Sequence, residues 1–148
     1  MINLPSDILD PLFDSKFQRG AVIKTLFKFS DGRKKYKYII ILNHDCSQDP
    51  VLCFLTTSQI DFYNKNPQFN RDAIRIKPSQ GSLFEQETII NCRELHRVTK
   101  DILKKNFKNN VLEFVGQLPD DLMGEINRIV KESYFISKQD QNLILGTA

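Results

Sequence analysis

"GAVIKTLFKFSDGRKKYKYIIIL", residues 20–42, is the stretch whose reading decides the fold. Its first part, residues 21–29, is a β-branched and aromatic run that reads as a strand. Ser30, Asp31 and Gly32 form a turn signal, because Asp and Gly adopt turn conformations that other residues resist. "KYIIIL", residues 37–42, then reads as a second strand. Its unbroken aliphatic character predicts burial on both faces, as in a small barrel or a central strand. Between turn and strand, Arg33, Lys34, Lys35 and Lys37 crowd four cations into five residues. Such a run suits the solvated tip of a hairpin, and it also suits a phosphate contact.

Working outward, "NHDCSQDP" (43–50) reads as a polar loop and "VLCFLTT" (51–57) as a third strand. "IDFYNKNPQFN" (60–70) reads as a long connection rich in Asn and aromatic residues. "AIRIKP" (73–78) alternates apolar and cationic residues, the period-2 pattern of a half-exposed strand. "ETIINCRELHRV" (87–98) reads as one long bent strand, with Thr99 capping a short helix over residues 100–107. "NNVLEFVGQL" (109–118) supplies a turn and a last strand. The clearest helix is "PDDLMGEINRIVKESYF" (119–135), with Pro119 at its first position and Asp120 and Asp121 at the positive end of its dipole. Leu122, Met123, Ile126, Ile129 and Val130 form one apolar stripe along it. Upstream, Ser6 caps a short helix over residues 7–10 that Pro11 interrupts. The last dozen residues, 137–148, read as a polar tail with order no further than "LIL".

The chain of 148 residues is long enough for one domain with a proper core and too short for two ordinary ones. Strands first with a terminal helix across them predict an α+β fold, mainly β: a small, strongly bent β barrel with helical additions. Residues 1–19 form an extension, 20–136 the barrel and helix, and 137–148 the tail. The net charge of +3 does not by itself mark a nucleic-acid binder. A second basic cluster, Lys100, Lys104, Lys105 and Lys108, reads as a solvated face. The three cysteines, Cys46, Cys53 and Cys92, lack the spacing of a zinc site or a disulfide framework, so no metal or other cofactor is expected. The start has no basic segment followed by an apolar core, and no apolar stretch approaches the roughly 18 residues of a membrane span. A cytoplasmic protein without membrane contact is the expectation.

The order of these signals resembles the MazF/PemK (Kid-like) toxin family. There a strand after Gly carries F-x-F-[ST]-D-G, then K-x-R-P and a buried aliphatic strand. Here Phe27, Phe29, Ser30, Asp31 and Gly32 fill the turn, Lys35 stands for the family lysine, and Ile39 to Leu42 form the strand. "VLCFLTTSQ" resembles the next strand with its terminal threonine and glutamine, here Thr57, Ser58 and Gln59. "ETIINCRELHRVTKDIL" and "VGQLPDDLMGEINRIV" resemble the third and fourth family motifs, so the likeness runs over residues 20–132. It implies an SH3-like barrel that dimerises and a metal-independent, sequence-selective endoribonuclease of a toxin–antitoxin system. Its partners would be RNA and a cognate antitoxin, with DNA bound jointly with that antitoxin.

Cleaving RNA without a metal recruits the neighbouring 2′-hydroxyl as nucleophile. The enzyme must take that proton, stabilise the phosphorus centre and protonate the leaving oxygen. The family arginine grips two phosphate oxygens with its planar fork. This chain holds Lys37-Tyr38 at that place, which keeps the charge and loses the fork. Thr57 matches the family threonine that touches the scissile phosphate. The family's [DE]-Q becomes Arg93-Glu94 and its R-T becomes His96-Arg97, and His96 can carry protons near neutrality. The catalytic candidates are therefore Lys37, Thr57 and His96. Arg33, Lys34, Lys35, Tyr36, Ser58, Gln59, Arg93 and Arg97 are candidates for RNA binding, with Tyr36 able to stack on a base. Two alternatives stay open: a barrel that binds RNA or a protein without cleaving, and a CcdB-like inhibitor of gyrase.

Overall fold

The central hairpin forms as its residues dictate. In the computed structural model, which describes residues 5–78 and 83–147 (Ser6 by its backbone alone), β1 is Ala21–Lys28 and β2 is Lys34–Ile41. They run antiparallel, with Val22 opposite Ile40 and Lys28 opposite Lys34. The turn closes through Phe29 N–H donating to the Arg33 carbonyl at 2.8 Å and Gly32 N–H to the Phe29 carbonyl at 3.0 Å. Gly32 has φ of +89°, the left-handed region where a Cβ is strained, so the turn needs its glycine.

The remaining strands are β3 (Val51–Thr57), β4 (Ala73–Ile76), β5 (Thr88–Val98) and β6 (Leu112–Gln117). All pair antiparallel in one sheet of order β4-β5-β3-β2-β1-β6. β2 and β3 are interior strands, and burial on both faces follows. Ile39 and Ile41 enter one apolar cluster while Ile40 and Leu42 enter the other, and Val51, Cys53 and Leu55 alternate likewise with Leu52 and Phe54. The aliphatic run of β2 is therefore a two-sided strand.

The sheet curls into a half-barrel. Phe27 on β1 meets His96 on β5 edge to face, with ring centroids 5.5 Å apart. Three strand spacings separate β1 from β5 in the sheet order, roughly 14 Å if the sheet were flat. Only curvature toward the Ile39 face closes that distance. β5 carries the expected bend: Cys53 pairs with His96 and Leu55 with Asn91, so two steps along β3 match five along β5.

Helices cover both faces. On the concave side lie α1 (Ser6–Lys16) and α3 (Lys100–Lys108), which bring Phe13, Phe17 and Leu103 against Ile23, Ile39 and Cys53. On the convex side, α4 (Asp120–Glu132) and α5 (Lys138–Leu145) bring Ile126, Ile129, Val130 and Ile144 against Ile40, Phe54 and Ile90. Thr99 caps α3 as expected, its hydroxyl accepting from Ile102 N–H at 3.3 Å.

Several local expectations give way to tertiary packing. α1 continues through Pro11 to Lys16, with Pro5 at its N-cap, because the turn after the proline carries the fully buried Phe13; the side chain of Ser6 lies outside the described atoms. The connection after β3 folds as a short helix, α2 (Ile60–Lys65), and a 3₁₀ turn (Pro67–Asp72). The tail is a helix too. Ser137 caps α5 by accepting from Asp140 N–H at 3.1 Å, and Gly146 ends it at φ +74°. The second basic cluster is not simply solvated. Lys100 and Lys104 reach Asp14 of α1 at 3.5 and 3.4 Å, and Lys108 reaches Asp10 at 2.9 Å.

Candidate functional site

Pairing between β2 and β3 covers Ile39 opposite Leu55 to Ile41 opposite Cys53. Continued by two residues, the same register sets Lys37 opposite Thr57. Here the two strands part, and the gap is a hollow of about 500 Å³. Lys37, Thr57, Ser58 and Gln59 line it, together with Tyr38, Glu85 and Gln86. The volume lies in the range of small-molecule sites. One side is built by Phe84, whose ring meets Tyr38 edge to face with centroids 5.3 Å apart. Thr88 donates to the Gln86 carbonyl at 2.9 Å, which fixes the turn that delivers Glu85 and Gln86.

Lys37 brings the cation to this hollow and Glu85 the carboxylate. The Thr57 hydroxyl accepts from Gln59 N–H at 3.1 Å. A hydroxyl has one proton to donate besides its acceptor lone pairs, so Thr57 keeps a donor for a ligand oxygen. The backbone bond locks the hydroxyl position, and Gln59 stands at the N-cap of α2. Glu85 is the residue that sequence reasoning missed. It falls in a segment without a recognisable motif, and the turn just before β5 brings it to the same hollow as Lys37.

The structure sorts the other candidates by place. Lys34, Lys35 and Tyr36 lie exposed along β2 between the hollow and the hairpin tip. Arg33 is held at the tip by Asp31, with Nε to Oδ2 at 2.6 Å. His96 is elsewhere: it pairs with Cys53, and Thr57 lies four residues further along β3, roughly 13 Å away at strand rise. Its ring packs against Phe27, and burial lowers its pKa, partly offset by Glu94 with Nε2 to Oε1 at 3.8 Å. Arg97 joins β5 to α5 through an ion pair with Asp140. Arg93, in the bend of β5, lies over the rings of Phe69 and Phe135, at 4.7 and 4.3 Å from their centroids. Four of the candidates thus meet in the hollow, while His96, Arg97 and Arg93 each have other surroundings.

Among the described residues no group of three His, Cys, Asp or Glu side chains is placed to hold a metal ion, and no helix is long and apolar enough to cross a membrane. No family model matches the sequence, and no curated protein matches it.

Proposed function

We propose that the chain is a MazF/PemK-like endoribonuclease acting at the Lys37–Thr57 hollow. The observation that carries this reading is the meeting of a lysine, a threonine hydroxyl and a carboxylate, Glu85, around one open pocket. In-line cleavage needs those three kinds of group. Glu85 takes the proton of the 2′-hydroxyl as its oxygen bonds to phosphorus. Lys37 and the Thr57 hydroxyl donate to the phosphoryl oxygens as negative charge builds there. The bond from phosphorus to the 5′-oxygen breaks, and the Lys37 ammonium protonates that leaving oxygen. The products are a 2′,3′-cyclic phosphate and a 5′-hydroxyl. Arg33, Lys34 and Lys35 along the hairpin hold the flanking phosphates, with Tyr36 beside them. The homodimer and the antitoxin expected from the family resemblance belong to the same proposal.

The test is incubation of the purified chain with a long mixed-sequence RNA in EDTA, followed by mapping of the ends. Discrete cuts with cyclic-phosphate and 5′-hydroxyl ends are expected. Lys37→Ala should slow them by on the order of 100-fold or more, the scale seen when one preorganised donor is removed. Glu85→Gln should do likewise with RNA affinity kept. A second reading, binding without cleavage, draws on the lysine in place of the family guanidinium and on the distance of His96 from the hollow. Intact RNA shifted in a gel would establish it over the first.

A further inference from the structure

Outside the lining of the hollow, aromatic rings and guanidinium groups of α2, the 3₁₀ turn, β5 and the segment after α4 lie together. Phe62 of α2 stacks on Phe69 of the 3₁₀ turn, with centroids 5.4 Å apart and planes at 28°. Arg93 lies over both Phe69 and Phe135, with its guanidinium carbon 4.7 and 4.3 Å from the ring centroids. Beside it, Arg71 lies over the Tyr134 ring at 5.4 Å. The rings are open to water: Phe62 is 47% exposed, Phe135 55% and Tyr134 85%.

The charges of Arg71 and Arg93 are unanswered. Among the described residues neither guanidinium has a carboxylate partner, whereas the neighbouring Arg75 holds Asn64 at 2.9 Å and Glu87 at 3.7 Å. A guanidinium held close to two rings makes cation–π contacts with them and keeps its N–H groups as donors for an anion. From this arrangement we infer that these six residues form a non-catalytic platform for single-stranded polynucleotide. The open ring faces take bases by stacking, and Arg71 and Arg93 take the phosphates between them. An acidic peptide would satisfy the arginines and leave the ring faces without a use. A symmetric second copy would bring the four arginines of the two patches toward one another. The platform stands three residues along α2 from Gln59, so one strand can run from it to the hollow, but the inference does not require that the hollow cleaves.

The test is fluorescence anisotropy with labelled RNA and DNA oligomers of about 12 nucleotides, within the span such surfaces hold. Tyr134→Ala combined with Phe135→Ala removes exposed rings and spares the core. It should weaken binding by about 5- to 150-fold, the equivalent of one lost stacking contact, with the salt dependence little changed. Arg71→Ala should flatten the salt dependence by about one phosphate contact. Arg93→Lys should weaken binding while keeping that dependence. Lys37→Ala should keep most of the affinity whatever it does to cleavage. Loss confined to RNA or to DNA assigns the platform to that polymer. Native affinity for both in the double ring variant overturns the inference. A drop in light-scattering mass with unchanged affinity also overturns it, because the rings would then belong to a contact between copies.

Discussion

Phe13→Ala tests whether residues before the central hairpin are part of the fold. Phe13 is fully buried, stacked on Phe17 at 5.0 Å and meeting Phe107 and Phe114 at 5.8 and 5.5 Å. Truncating a fully buried Phe costs about 3–5 kcal/mol, from lost transfer energy and the cavity left behind. The ring pairs, at about 0.5–1.5 kcal/mol each beyond their area, place this site toward the upper end. The ion pairs of α1 compete poorly with that. Asp14 is half exposed and pairs with two lysines, and exposed pairs contribute about 0.2–1 kcal/mol each, so Asp14→Ala should cost no more than about 2 kcal/mol. Urea unfolding followed by circular dichroism, with midpoints compared at a common slope, measures both. A functional consequence follows as well. Once α1 lifts, Lys100, Lys104 and Lys108 lose Asp14 and Asp10 and become free for phosphates. The salt dependence of the proposed RNA binding should then steepen by about 2, at roughly 0.7 per contact on a single strand. A loss below about 1 kcal/mol for Phe13→Ala would refute the docking of α1 and the masking of those lysines together.

Arg97→Ala separates a structural role from an RNA contact. Its ion pair with Asp140 ties β5 to α5, so about 1–2 kcal/mol of stability should go while RNA affinity holds; a large loss of affinity would return Arg97 to the binding surface. His96 has its pKa lowered by burial from an unfolded value near 6.5. As pH falls through that value the unfolded chain takes up a proton before the folded one does, so stability should decline and then level off below the folded pKa. His96→Gln should remove that decline in thermal melts between about pH 8 and pH 5, and an identical profile in the variant would exclude His96 as its source. Burial pushes the Cys53 thiol up to about 12 and raises Cys92 and Cys46 as well, but Cys46 alone is only half-buried and open to reagent. Iodoacetamide should therefore modify one cysteine in the native protein and all three in urea, by intact-mass measurement; two or three native adducts would contradict the packing around β3 and β5.

The hairpin of residues 20–42 was legible because its signals are local: β-branched residues, a glycine turn, and an aliphatic run whose lack of alternation requires cover on both faces. Thr99 as a cap and the stripe of α4 were legible for the same reason. α5 was not legible: residues 137–148 look like a polar tail, and the helix between Ser137 and Gly146 is held by the burial of Ile144. α2 and the 3₁₀ turn had no local signature either. Six-residue helices are too short to persist alone, and packing of Tyr63 and Phe69 holds them. Pro11 was a misleading stop, because the rule is local and Phe13 answers to the core. Lys37 and Thr57 could be picked out through the motifs that resemble the MazF/PemK family. Their meeting depended on the register of β2 against β3, and Glu85 joined them through the turn just before β5. His96 sits in the same motif-bearing strand that passes Thr57, yet β5 runs for 11 residues and its two halves face different ends of a curled sheet. Sequence sets which residues are strand, turn and core face, because those preferences act over a few neighbours; which side chains share a hollow is set by register and curvature, which act across the whole sheet.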